Sequence, residues 1–198
     1  IVAGAANACR DLGFPLIGGE TAEMPGVYHD GEVDLAGTII GTVEREKIID
    51  GSKLAPGDVL LALPSTGLHT NGYSLARRTL DRLDWYSYRN DLGGNIGDAL
   101  LAVHRSYLYE IKNLLKGGLA IKGLAHITGG GVIENLPRIL PDGVGAVLER
   151  GRWPEPPIFK VIQQQGRISD AEMFRVFNMG LGMIIVIAAK DLERAQHL

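Results

Sequence analysis

The sequence predicts an α/β (α+β) chain of two domains, and three observations carry that expectation. An apolar run, Val59-Leu60-Leu61-Ala62-Leu63, leads into a polar, glycine-containing loop and then into a helical pattern from Ser74. The same plan of strand, glycine turn and helix recurs over residues 123–138. Between them and the chain's start, Ile48-Ile49-Asp50-Gly51 and Ala55-Pro56-Gly57-Asp58 are turn chemistry, which places a domain boundary there.

Taken in order, Val2, Ala5, Ala6, Cys9 and Leu12 recur at helical spacing, and Gly13 suits a terminating residue, so residues 1–12 read as the end of a helix that begins earlier. Phe14-Pro15-Leu16-Ile17 reads as a short buried strand that delivers Gly18-Gly19-Glu20-Thr21-Ala22-Glu23-Met24-Pro25-Gly26, a tight acidic loop. Its two carboxylates are a solvated turn in the plain reading and a Mg²⁺ or substrate-amine site in the functional one. Residues 31–44, with Val33, Leu35, Ile39 and Val43, read as a long strand bent near Gly37 or Gly41.

After the boundary, a helix is expected over 74–83, a surface loop over 84–97, and one apolar helical face over 98–115 from Leu101, Leu108, Ile111 and Leu115. His104 reads as a boundary or core histidine on that face, outside the catalytic set. Residues 144–149 read as a strand, and Pro156-Pro157 opens a helix to about 165, since proline is tolerated in a first turn. Ser169-Asp170-Ala171-Glu172 is a capping box for a helix through Phe177, followed by a strand over 183–188 and a further helix from 190.

Composition narrows the function classes. Of 198 residues, 45% are hydrophobic and 22% charged, with a net charge of −3, which gives no basic field for nucleic acid. The longest uncharged apolar run, around residues 183–189, is far short of the ~20 residues a membrane span needs. One cysteine, Cys9, excludes an internal disulfide and fits a reducing cytoplasm. Cys/His pairs at ligand spacing are absent, which argues against a structural zinc site. The start, Ile1-Val2-Ala3-Gly4, lacks Met and a basic leader and reads as cut from a longer chain.

The chemistry-bearing residues concentrate in the two glycine turns. The first holds Ser65, Thr66, Gly67, His69, Thr70 and Asn71; the second holds Gly129, Gly130 and Gly131, with Asn135 and Arg138 just beyond. A polar turn feeding a helix aims backbone N–H groups and the positive end of the helix dipole at whatever sits in front, which suits phosphate. Neither turn has the G-x-G-x-x-G spacing or the lysine of a P-loop.

These segments together resemble the aminoimidazole ribonucleotide synthetase family, also called phosphoribosylformylglycinamidine cyclo-ligases. The resemblance rests on the acidic loop 18–26, on 64–74, on Ala125-His126-Ile127-Thr128-Gly129-Gly130-Gly131 with 134–138, on Trp153-Pro154 with 157–159, and on Phe177-Asn178-Met179-Gly180. It departs from the family at Val103, His104 and Ser106, where a proline, a threonine and an isoleucine are usual.

The resemblance implies residues 1–56 as the end of an ATP-binding, dimerising amino-terminal domain and 57–198 as most of the carboxy-terminal domain. It implies ATP-dependent ring closure of formylglycinamidine ribonucleotide to aminoimidazole ribonucleotide in purine synthesis, with Mg²⁺, in a cytoplasmic homodimer, and an isolated fragment that is inactive. Related ATP users, among them formylglycinamidine ribonucleotide synthetase, selenophosphate synthetase and thiamine-monophosphate kinase, are alternatives, as is a phosphate-binding or dimerising fragment that is no enzyme. The expected catalytic residues are His69, as hydrogen-bond donor or general acid/base, and Glu20. Glu20 and Glu23 are expected at Mg²⁺, and Ser65, Thr66, Gly67, Thr70, Asn71, Gly129, Gly130, Gly131 and Asn135 at substrate phosphate.

Overall fold

The computed structural model describes all 198 residues, in two compact units, residues 1–48 and 49–198. In the first unit, α1 (Val2–Leu12) ends at Gly13, whose φ of 75° turns its N–H back onto the helix's last carbonyls. Beyond it are turns closed by Val27 N–H on Met24 O at 3.1 Å and Glu32 N–H on His29 O at 3.0 Å. The strands expected at 14–17 and 31–44 do not form. Neither run has a neighbouring strand to complete a ladder, and Leu16, Ile17, Val33, Leu35, Ile39 and Val43 are exposed. Apolar alternation proposes a strand, but cross-strand pairing is what makes one.

The second unit is built on three strands, β1 (Val59–Pro64), β2 (Gly123–His126) and β3 (Leu181–Ile187), in the order β1-β3-β2. Both outer strands run antiparallel to β3. They therefore run the same way as each other, and the loops that leave them emerge at one end of the sheet, where β3 begins. Register fixes this: Leu63 and His126 both pair with Met183, and Pro64 with Leu181.

β3 is a nearly continuous apolar run because helices cover both sides of it. Ile185 and Ile187 pack toward Leu114 of α4 (Leu108–Lys116) and Ala195 of α8 (Leu192–Gln196). Ile184 packs with Ala125, Ile127 and Leu136 on the other side, next to α5 (Gly131–Asn135). Each such side chain, fully buried, contributes ~1.5–3 kcal/mol. A further core joins Leu68 to α2 (Tyr73–Leu80), α3 (Ile96–Leu100), α6 (Pro157–Gly166) and α7 (Asp170–Val176), with Phe159 and Phe177 tilted at 53°, centroids 5.7 Å apart. No helix is long and apolar enough to cross a membrane.

Two expectations change here for physical reasons. The single helix read over 98–115 is α3 and α4 with residues 101–107 between them. Backbone groups that a continuous helix would use internally are taken from outside: the Thr66 hydroxyl donates to Val103 O at 2.6 Å, and Arg105 N–H donates to His69 Nε2 at 3.4 Å. The strand read over 144–149 lacks a ladder partner, and its Val147 is exposed. The capping box is present, with Ser169 Oγ accepting from Glu172 N–H at 3.3 Å.

Candidate functional site

The loop from Ser65 to Gly72 is fixed from below by one carboxamide. Asn178, 2% exposed, accepts at Oδ1 from the Ser65 hydroxyl at 2.8 Å and from Gly180 N–H at 2.9 Å. Its Nδ2 donates to Gly67 O at 2.8 Å. Ser65 N–H also donates to Gly180 O at 2.8 Å, so the loop after β1 is tied to the entry of β3.

The loop holds two adjacent non-glycine residues in the left-handed region, His69 with φ 54° and Thr70 with φ 66°. Such residues cost of order 1–3 kcal/mol each and persist only where surroundings over-determine them. Here the carbonyl of His69 accepts from Thr70 Oγ1 at 2.5 Å and from Asn71 Nδ2 at 2.9 Å. Thr66 N–H donates to His69 Nε2 at 3.0 Å.

His69 itself is 1% exposed. The His104 ring stacks on it, 4.1 Å between centroids and 17° from parallel, and Gly182 of β3 lies against it. A Cβ at Gly182 would strike the Tyr107 hydroxyl, so glycine is what lets that tyrosine reach Pro64 O at 3.0 Å. Burial, then the neighbouring His104, His126 and Arg105, lowers the His69 pKa to about 4, so the ring is neutral at pH 7. Burial also pushes the Tyr107 hydroxyl up to about 12.

The Nε2 of His69 has two partners to choose between. It accepts from Thr66 N–H, or donates to Thr66 Oγ1 at 2.9 Å, whose own proton goes to Val103 O. In either tautomer Nδ1 is buried with no hydrogen-bond partner.

Three histidines meet at this point. His104 Nε2 lies 3.3 Å from His126 Nε2, at the end of β2, and the three residues His69, His104 and His126 offer ring nitrogens all within 4.8 Å of one another. Burial lowers the pKa of His104 and His126 as well. Beside them runs a groove of about 440 Å³ lined by His104, Arg105, Tyr107, Ile111, His126 and Met183. Arg105, which faces the same ring of His69, is paired with Glu110.

The second turn is braced in the same manner as the first. Asn135, 4% exposed, accepts from the Thr128 hydroxyl at 3.0 Å and donates to Gly129 O at 3.1 Å and Gly131 O at 2.7 Å. Gly131, at φ 58°, passes so close to Phe174 O that a Cβ would collide with it. The two turns touch: a Cβ on Gly129 would lie 3.4 Å from Asn71 Oδ1.

Of the residues expected from sequence, Ser65, Thr66, Gly67, His69, Thr70 and Asn71 lie in the first turn, and Gly129, Gly130, Gly131 and Asn135 in or beneath the second. Ser65 and Asn135 spend their side chains inside the protein. Glu20 and Glu23 belong to the first unit, exposed, outside any helix or strand. Sequence reasoning missed the bracing role of Asn178, although it stood in a quoted motif. It also missed the joining of His104 and His126 to His69, for which spacing gave no signal.

Two glycine turns at one end of a three-stranded antiparallel sheet, flanked by helices, define an α/β domain with its polar loops gathered at that end. The chain belongs to the AIR synthase related protein family: the family's C-terminal domain model matches residues 55–198, and its N-terminal domain model matches residues 1–43. Among curated proteins it is 50% identical over 195 residues to the phosphoribosylformylglycinamidine cyclo-ligase of Burkholderia cenocepacia (strain HI2424), covering 98% of this chain and 55% of that protein. It is also 50% identical over 199 residues to the protein of that name from Cupriavidus metallidurans, covering 100% of this chain and 57% of that one. The chain thus spans about half the length of the curated relatives it matches.

Proposed function

We propose that this chain carries the carboxy-terminal domain, residues 57–198, and the end of the amino-terminal domain, residues 1–56, of a phosphoribosylformylglycinamidine cyclo-ligase. The reaction is ATP-dependent closure of formylglycinamidine ribonucleotide to aminoimidazole ribonucleotide, with ADP and phosphate released, in a cytoplasmic homodimer. The observation that carries the reading is the meeting of the two glycine turns, Asn71 against Gly129, at the sheet end where β1 and β2 both finish.

In this reading ATP phosphorylates the formyl oxygen, a nitrogen of the same substrate attacks that carbon, and phosphate leaves. Backbone N–H groups of Gly67, Gly129 and Gly130 receive phosphate oxygens, with Thr66, Thr70 and Asn71 at the rim, while Gly131 N–H closes its turn on Thr128 O at 3.1 Å. Ser65 and Asn135 hold the turns in shape beneath them, as their hydrogen bonds already do. One helix amino terminus adds only about 0.3–1 kcal/mol to anion binding at an exposed site, so several donors act together.

His69 acts on the reacting amide or the transferring phosphoryl group through its unpartnered ring nitrogen, which His104 must uncover by turning aside. Glu20 and Glu23, two exposed oxygen donors three residues apart, fit the one or two carboxylates that Mg²⁺ takes when it also binds phosphates. They would hold that ion, which supplies neutralisation of phosphate charge, or Glu20 would meet the substrate amidine.

The test is a chimera in which this chain replaces the matching segment of the Burkholderia cenocepacia relative, assayed for phosphate release with ATP and formylglycinamidine ribonucleotide. Activity within tenfold of the parent supports the reading, and a folded, inactive chimera overturns it. In the active chimera His69→Ala lowers kcat at least tenfold, since general acid/base groups contribute 10²–10⁴-fold. An unchanged rate removes His69 from catalysis and leaves it a loop brace.

A further inference from the structure

We propose that His69, His104 and His126 form a binding site for one divalent transition-metal ion of the zinc class, open on its remaining side to the groove above β3. The ion and the catalytic role proposed for His69 call on the same ring nitrogen, so an ion bound here would displace that role while it is bound.

The geometry of the His104–His126 pair is the starting point. Two nitrogens bound at about 2.0–2.1 Å to one tetrahedral zinc stand about 3.3–3.4 Å apart. His104 Nε2 and His126 Nε2 stand 3.3 Å apart. That spacing is long for a direct N–H···N hydrogen bond between neutral rings and equals the edge of a zinc coordination tetrahedron.

His69 supplies the third nitrogen. It retains one buried ring nitrogen, Nδ1, without a partner. The tautomer that frees a lone pair on Nδ1 places the proton on Nε2. There it donates to Thr66 Oγ1 at 2.9 Å, giving up the bonds it otherwise accepts from Thr66 N–H and Arg105 N–H, and the Thr66 hydroxyl donates to Val103 O at 2.6 Å. A ligating histidine that passes its other N–H to a fixed acceptor is the usual outer-sphere arrangement of a zinc site.

One rearrangement is required. His69 and His104 are stacked 17° from parallel, so a single ion cannot lie in both ring planes as they stand. Closing the third edge from the 4.8 Å limit of the group takes a rotation of His104 off His69. His104, half-buried, sits in the 101–107 segment between α3 and α4, outside any helix or strand. The one nearby cation, Arg105, is neutralised by Glu110, and the three rings are held in the neutral form that binds metal. The groove of about 440 Å³ leaves space for water or a small anion at the fourth position.

The experiment titrates the metal-stripped 198-residue chain with Zn²⁺ alone by calorimetry and with Co²⁺ by visible absorption. Expected are one ion per chain, a cobalt spectrum of four-coordinate type, and affinity weakened at least tenfold in His104→Thr and in His126→Asn. In ¹H–¹⁵N spectra of the imidazoles, zinc shifts His69, His104 and His126 and leaves His29 and His197 unmoved, a readout that needs no variant to fold. Failure to bind zinc at about 100 µM overturns the proposal. So does a folded His104→Thr chain with wild-type affinity, or zinc shifts confined to His29 and His197.

Discussion

Asn178 makes three of its four possible side-chain hydrogen bonds inside the protein, accepting from Ser65 and Gly180 and donating to Gly67. Removing a buried partner leaves the others unsatisfied at about 1–3 kcal/mol each. Asn178→Ala is therefore expected to lower unfolding free energy by about 2–4 kcal/mol in urea denaturation, and Ser65→Ala by less, because Asn178 Oδ1 then still accepts from Gly180 N–H. A loss below 0.5 kcal/mol for Asn178→Ala, about the size of an ordinary surface change, contradicts the bracing role.

At the same scale, His69 makes the stability of the metal-free chain depend on pH. Its charged form is opposed by burial first and then by His104, His126 and Arg105, the last of these offset by Glu110. The unfolded ring takes its proton near 6.5, whereas the folded ring takes it only near about 4. The stability it contributes is therefore complete above 6.5 and lost as pH falls toward about 4, by about 3 kcal/mol in all. Urea midpoints of the wild type and of His69→Gln, followed from neutral pH down to about 4.5, measure it; equal slopes for the two proteins refute it.

Among the elements, α7 shows how a short helix is held. Its seven residues are too few to stand on propensity alone, and it starts at the Ser169 cap and buries Met173 against the core. Ser169→Ala is expected to cost about 0.5–2 kcal/mol, and Ser169→Asp to restore most of it, both read from thermal unfolding. The break between α3 and α4 has the opposite origin. The sequence there carries a helical face, but Thr66 and His69 capture backbone groups of Val103 and Arg105 and hold the segment open.

For the whole molecule, the two units differ in how much they bury. Within residues 1–48 no hydrophobic side chain is buried, and the apolar residues from Leu16 to Val43 are largely exposed. Within 49–198 three clusters of buried residues surround the sheet. Local opening follows sparse burial, so brief proteolysis of the chain is expected to cut within residues 14–48 and to leave a resistant product of 49–198. Mass spectrometry of the fragments checks this; first cuts inside β1, β2 or β3 would contradict it.

Much of the second unit was legible in the sequence. The Val59 and Met183 runs read as strands, Pro156-Pro157 and Ser169 as helix starts, and the two glycine turns as loops between strand and helix, because each is a local signal of periodicity or capping. The apolar runs over 14–17 and 31–44 gave the same signal without a structure to match, since a strand exists only with a neighbour. What the sequence alone determined was the family and the position of the two glycine turns. Only the tertiary structure decided that those turns share one sheet end, and that His69, His104 and His126 meet. Strand order and direction set those distances: β1 and β2 flank β3 and run alike, bringing together residues that no spacing along the chain connects.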